Sequence, residues 1–309
     1  MISAAAAPDL MEVMRNVAPE KLMRLASNNS TASTYIQVAR VLRDGYVLPK
    51  KSTLELFKSP NNYNSVPLML GTNRDEQKLF MARNPRYVDL LFGVLPRPKD
   101  NAYYNRVSEY VSDNWKAGAV DEPAKIITQT NAPDVFAYRF DWDESPSNLF
   151  ADLPNLIGAA HGLEISFVFG DFEGGVPIGP LLDKDNAPGR KSLSLSMMDY
   201  WASFAHNGQP GKGYSGSQPL WSAWSQNGEN IMLLDTDVDG GRRMQEVRTN
   251  VADIKAKLPG DDVITDQRDK CEAYAALFLH GYQSSDFWDP TEYSQLGCDG
   301  YPAGEFRSS

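Results

Sequence analysis

Residues 65–76 read SVPLMLGTNRDE, and the fold turns on what this stretch is. The apolar run Val66–Leu70 is short, compatible with a strand and stopped by Gly71. That predicts a buried strand feeding a polar loop. A strand that is apolar throughout, instead of alternating, is expected to be covered on both faces and to have neighbours in a parallel sheet. The loop it feeds ends in two adjacent carboxylates, Asp75 and Glu76.

Outward from that strand the pattern is mostly helical. Residues 9–26, DLMEVMRNVAPEKLMRLA, carry apolar positions at helical spacing interrupted by Pro19, which predicts two short helices. Another short helix is expected from about Ser52, and residues 77–130 read as mainly helical, including YYNRVSEYVSDNWKAG and DEPAKIITQT. DVFAYRFDW, Asp134–Trp142, is the clearest strand, with Val135, Ala137 and Arg139 alternating against aromatic neighbours. SLSLSMMDYWASFAHNG predicts an amphipathic helix from Ser192, ended by Asn207 and Gly208, and IMLLDTD, Ile231–Asp237, a last short strand. Strand, helices, strand, helix, strand is the order of an α/β protein. So few strands in 309 residues imply an incomplete central sheet.

Forty acidic against thirty basic residues leave a formal charge of −10. That excludes the nucleic-acid backbone as a partner, since backbone binding needs a positive field, and disfavours an acidic membrane surface. Neutral and cationic small molecules stay open. No apolar run is long enough to span a bilayer. The opening MISAAAAPDL lacks the basic and apolar segments of a secretory signal, so a soluble chain without a signal peptide is expected, its compartment undetermined. Cys271 and Cys298 either clip a local loop or remain free thiols.

The chain has three histidines, and His161 sits in GAAHGLEISFVFG, residues 158–170. A carboxylate that accepts a hydrogen bond from an imidazole sets its tautomer and stabilises the imidazolium formed in catalysis. Loops after strand C-termini converge at one edge of an α/β sheet, so Asp75, Glu76 and His161 are candidates for an acid–base pair. Spacing leaves open which carboxylate partners His161, and whether NRDEQK is only a solvated loop and His161 only structural. His206, in FAHNG, reads as a helix-end contact. His280 with Cys271 and Cys298 matches no standard zinc spacing, so no metal site is assigned. GKGYSG lacks the spacing of a phosphate-binding loop.

VPLMLGTNRDEQKLF and GAAHGLEISFVFG resemble the two downstream landmarks of the type-B carboxylesterase family, which includes the cholinesterases. RDGYVLP before them, NWKAGAVDEPA and VFAYRFDW between them, and LSLSMMDYWASFAHNGQP after them follow the order of the family's C-terminal half. The likeness covers roughly residues 10–245 and loosens over a divergent tail, residues 246–309. It implies one domain over residues 1–309, the C-terminal portion of an α/β-hydrolase fold with an incomplete central sheet. The family's Ser–Glu–His triad would place its acid at Glu76 and its base at His161, with Glu164 supporting the loop and Phe167 and Phe169 packing it. Gln77 departs from the glycine often found at that point of the motif.

The nucleophile is the larger departure. The fold's serine sits in G-x-S-x-G on a strained strand-to-helix turn, and that pattern occurs nowhere in this chain. GYSGS, Gly213–Ser217, lacks the last glycine and no strand leads into it; an HGGG-type oxyanion loop is missing too. The resemblance therefore implies a serine carboxylesterase acting on a small-molecule ester without metal or organic cofactor. This chain would supply Glu76 and His161 and be inactive alone, with a missing N-terminal half, or a second copy, as partner. The alternative is a non-catalytic binding or adhesion module of the same fold.

Overall fold

The Ser52 hydroxyl accepts the Glu55 N–H while the Glu55 carboxylate takes the Ser52 N–H. This reciprocal cap starts helix α1, Thr53–Phe57, where the sequence predicts one. The structure is a computed structural model describing residues 12, 15–20, 43–130, 132–148, 151–174, 178–279 and 287–306. The chain divides into two compact units, Met1–Lys51 with Arg307–Ser309, and Ser52–Phe306. The helices expected over residues 9–26 fall largely outside the described residues. The sheet and the helices that pack on it belong to the second unit.

Strand β1 runs Leu68–Asn73, shifted toward the loop from the expected 66–70. Pro67 has no N–H to give a ladder, so pairing opens with the Leu68 N–H, which donates to Asp134 O at 3.1 Å. After the short helix α2, Lys78–Met81, the chain departs from its helical expectation. Residues Val88–Leu91 (β2) and Leu95–Pro98 (β3) form an antiparallel hairpin. Pro96 and Pro98 cannot sit inside a helix, whereas a two-stranded edge tolerates them. Helix α3, Asn101–Lys116, is capped by Asp100, and a π-helical turn, Ala117–Asp121, leads into α4, Glu122–Thr128. The buried Lys116 ammonium pins that turn: it pairs with Asp121 and donates to Val247 O at 2.8 Å.

Strand β4, Val135–Phe140, pairs in parallel with β1 from Leu68↔Val135 to Asn73↔Phe140. Helices α5 (Leu153–Leu156), α6 (Glu164–Phe169) and α7 (Ala187–Asn207) follow. The last ends at the Asn207–Gly208 stop but begins five residues before Ser192, because Pro188 is compatible with a first helical turn. Strand β5, Ile231–Leu234, lies parallel to β4, and β6, Arg243–Gln245, closes antiparallel on β5. The sheet order is β1-β4-β5-β6.

Alternation sorts the central strands' side chains between two cores. Phe136, Phe140, Met232 and Leu234 pack with Phe167, Leu193, Met197 and Trp221 on one face. Val135, Ala137, Ile231 and Leu233 meet Val120, Ala124 and Ile127 on the other. Helices on both sides of a mainly parallel sheet make an α/β protein. The expectation that β1 is buried on both faces fails: Leu68, Met69 and Leu70 are half-buried and Val66 is exposed. Among the described residues the strand ends the sheet and has a neighbour on one side only. Gly71 continues the strand instead of stopping it, because Tyr138 lies across it; a Cβ there would sit 1.9 Å from the Tyr138 ring.

The tail has a core of its own. Helices α8 (Val251–Lys257), α9 (Gln267–Phe278) and α10 (Pro290–Gln295) gather Val251, Ile254, Tyr274 and Phe278 against Tyr110 of α3. A Cys271–Cys298 disulfide resolves the alternative between staple and free thiols in favour of the staple. His280 lies outside the described residues.

Candidate active site

Four residues turn the chain from β1 into α2 and leave Glu76 at the C-terminal end of the strand. The residue is 4% exposed, and both carboxylate oxygens are engaged. Oε1 accepts the Asn73 N–H at 2.8 Å and the Thr72 hydroxyl at 3.2 Å; Oε2 lies 2.7 Å from His161 Nδ1. Burial pushes the Glu76 carboxyl above its ordinary value, against the hydrogen bonds from Asn73 and His161. A neutral imidazole that donates its Nδ1–H to Glu76 carries its lone pair on Nε2. Nε2 has no hydrogen-bond partner among the described residues, and the side chain is 43% exposed. Phe80 and Trp115 flank the ring with centroids at 5.6 and 5.1 Å.

It is Glu76, not Asp75, that meets His161. Asp75 Oδ2 instead accepts the Ala159 N–H at 3.1 Å, and its other oxygen pairs with the buried Lys78 at 3.1 Å. Burial would raise the Asp75 carboxyl, but Arg74, Lys78 and the Ala159 N–H hold it below its usual value. Asn73 adds two more ties, its Nδ2 donating to Ala160 O at 2.7 Å and to Glu164 Oε2 at 2.5 Å. Glu164 thus braces the loop, as the resemblance implies. Gly158 takes φ +54, and a Cβ there would lie 2.4 Å from Asp75 Oδ2.

Other expected positions fall elsewhere. Phe167 is fully buried, but Phe169 is 75% exposed. Two residues of α-helix rotate a side chain by about 200°, so Phe169 faces away from the core that holds Phe167. Ser215, in GYSGS, sits on a surface turn with its hydroxyl bonded to Asp199 and Ser217, both at 2.7 Å. His206 lies in the last turn of α7 with Tyr214 against its ring. Among the described residues Asp143, Glu144 and Asp239 alone converge closely enough to hold a cation. Two of them are already engaged, Asp143 by Arg74 and Glu144 by Thr236. Sequence reasoning passed over Thr72 and Asn73, which the TNRDE motif contains, and Phe80 and Trp115, which no motif marks.

Solved structures share this fold over about three quarters of the chain. A PNB esterase superposes with a TM-score of 0.52 at 20% identity, over 76% of this chain and 47% of its own. The Geobacillus stearothermophilus carboxylesterase gives 0.51 at 20% identity, over 76% and 47%. The fold is therefore the C-terminal portion of an α/β-hydrolase. The model of the carboxylesterase family matches residues 89–254, a stretch that includes His161, and the chain belongs to that family. Carboxylesterase 5A of Felis catus is 36% identical over 264 residues, 77% of this chain and 45% of the relative. Carboxylesterase 5A of Canis lupus familiaris is 27% identical over 77% and 43%; acetylcholinesterase of Bungarus fasciatus is 36% identical over 58% and 33%. The chain spans under half the length of these relatives.

Proposed function

We propose that residues 1–309 act as the C-terminal part of a serine carboxylesterase domain, residues 246–309 being its divergent tail, and carry the acid–base arm of a Ser–Glu–His site. The supporting observation is the buried Glu76 carboxylate 2.7 Å from His161 Nδ1 with the imidazole's other edge open. In the complete protein a serine from outside this chain attacks the ester carbonyl and His161 Nε2 takes its proton. The imidazolium, held against Glu76, returns that proton to the departing alcohol. Water then enters by the same route and releases the acid. Glu76 remains ionised throughout, its charge favouring the imidazolium most where that charge is largest.

The partner is the missing N-terminal half, which would supply the nucleophile, the oxyanion hole and a strand for the free side of β1. The absence of G-x-S-x-G from the sequence is the one observation favouring a binding or adhesion module, and the same experiment separates the two. Fluorophosphonate labelling and aryl-ester turnover are measured on the 309-residue chain and on its complex with an upstream half bearing a G-x-S-x-G serine. The isolated chain is expected to be inert and the complex active, with His161→Ala costing on the order of 10³-fold or more and His206→Ala little. A complex that binds yet never turns over, or an isolated chain with a labelled serine, would overturn the proposal.

A further inference from the structure

Helices α8, α9 and α10 line an open cleft of about 700 Å³, a size typical of small-molecule sites. From Lys255 onward its lining lies beyond the stretch matched by the carboxylesterase family, and no residue of the Glu76–His161 pair borders it. Its walls are cross-linked: the Cys271–Cys298 disulfide ties α9 to the segment after α10, and Gln267 Nε2 donates to Leu296 O at 2.7 Å. Val251, Ala256, Phe287 and Leu296 supply apolar surface.

The charges in the cleft do not cancel. Lys255, Lys270 and Glu292 line it. Glu292 Oε2 accepts from Lys255 Nζ and from the Tyr274 hydroxyl, both at 2.5 Å, so that carboxylate is already spent on neighbours. Lys270 Nζ donates only to a neutral acceptor, Pro259 O at 2.6 Å, and has no carboxylate partner among the described residues. In a chain of net charge −10, this ammonium, whose bond to Pro259 O is solvent-exposed, is an uncompensated positive point beside apolar surface. One spare cation matches one negative charge, and Lys255, already paired with Glu292, offers no second, which disfavours a phosphate dianion. The apolar wall then selects for a hydrocarbon chain attached to that charge.

We infer that this cleft binds a monoanionic amphiphile, a carboxylate on an apolar chain, with its head at Lys270 and its chain along Val251, Ala256 and Leu296. The site is separate from the Glu76–His161 pair, so its occupancy is read by binding and does not depend on esterase activity.

Isothermal titration of the full 309-residue chain with octanoate, octan-1-ol and acetate tests this. Octanoate is expected to saturate a single site. Lys270→Ala should weaken it about tenfold while leaving octan-1-ol unchanged, and Ala256→Trp, which fills the cleft, should abolish octanoate binding. Near-UV circular dichroism checks that each variant keeps its packing; should Ala256→Trp lose it, Lys270→Ala and the alcohol comparison still decide. Absence of saturable octanoate binding, octanoate binding unmoved by Lys270→Ala, or acetate binding as tightly as octanoate would each overturn the inference.

Discussion

Asp75 and Ala159, 84 residues apart, hydrogen-bond each other twice: the Asp75 N–H donates to Ala159 O at 3.0 Å, and the Ala159 N–H to Asp75 Oδ2 at 3.1 Å. This double clasp sets the loop carrying His161 against the turn carrying Glu76. The two adjacent carboxylates therefore do different work, one fastening the loop and the other facing the imidazole.

That division predicts opposite profiles for two substitutions in the complete protein. Glu76→Gln should keep its stability and lose turnover on the order of 10³- to 10⁴-fold, because the imidazolium loses its charge partner. Asp75→Asn strips the buried Lys78 and Arg74 of a counter-charge and should cost on the order of 2 kcal/mol of stability with a smaller rate defect. Denaturant unfolding alongside kcat/KM separates them. A larger rate loss in Asp75→Asn would reverse the roles.

Gly158→Ala should loosen the same clasp. Its φ of +54 penalises any side chain, and a Cβ would press on Asp75 Oδ2. Gly93 has φ +75 with nothing within 4 Å of the built Cβ, so Gly93→Ala reports the backbone penalty alone. Urea unfolding should show about 1 kcal/mol lost at Gly93 and roughly 2–3 kcal/mol at Gly158. Equal losses would mean that Asp75 shifts without cost.

Asp235 predicts a pH signature. Burial first, then repulsion from Asp141, Glu144 and Asp239, pushes its carboxyl from 3.8 up to about 7. The folded chain thus holds this proton more tightly than the unfolded one, so its ionisation weakens the fold as pH rises from about 4 to about 7. Asp235→Asn removes that penalty. It should be more stable than the parent by about 4 kcal/mol at pH 8, with the gap shrinking toward zero near pH 4. A gap independent of pH would place the shift elsewhere.

Among the described residues strand β1 pairs with β4 alone, and its other side, beside the exposed Val66, invites another strand. The isolated chain should therefore self-associate or unfold broadly, and sharpen when an N-terminal half is added. Sedimentation velocity with thermal melting checks this. A strictly monomeric chain with one sharp transition and little hydrophobic-dye binding would count against the missing half as a structural partner.

Local chemistry was enough to place several elements. The Ser52–Glu55 cap starts α1, the aromatic alternation of DVFAYRFDW makes β4, and Asn207–Gly208 ends α7, because each depends on residues a few positions apart. Family membership was legible too, since it rests on colinear motifs and not on contacts. The β2–β3 hairpin was missed because its apolar residues also suit a helix and only its prolines object. The choice between Asp75 and Glu76 could not come from local spacing, because adjacent carboxylates are chemically alike until a backbone amide 84 residues away claims one. The same holds for the disulfide and for the spare charge at Lys270. Both depend on α8, α9 and α10 packing together, and no local pattern in residues 246–309 encodes that packing.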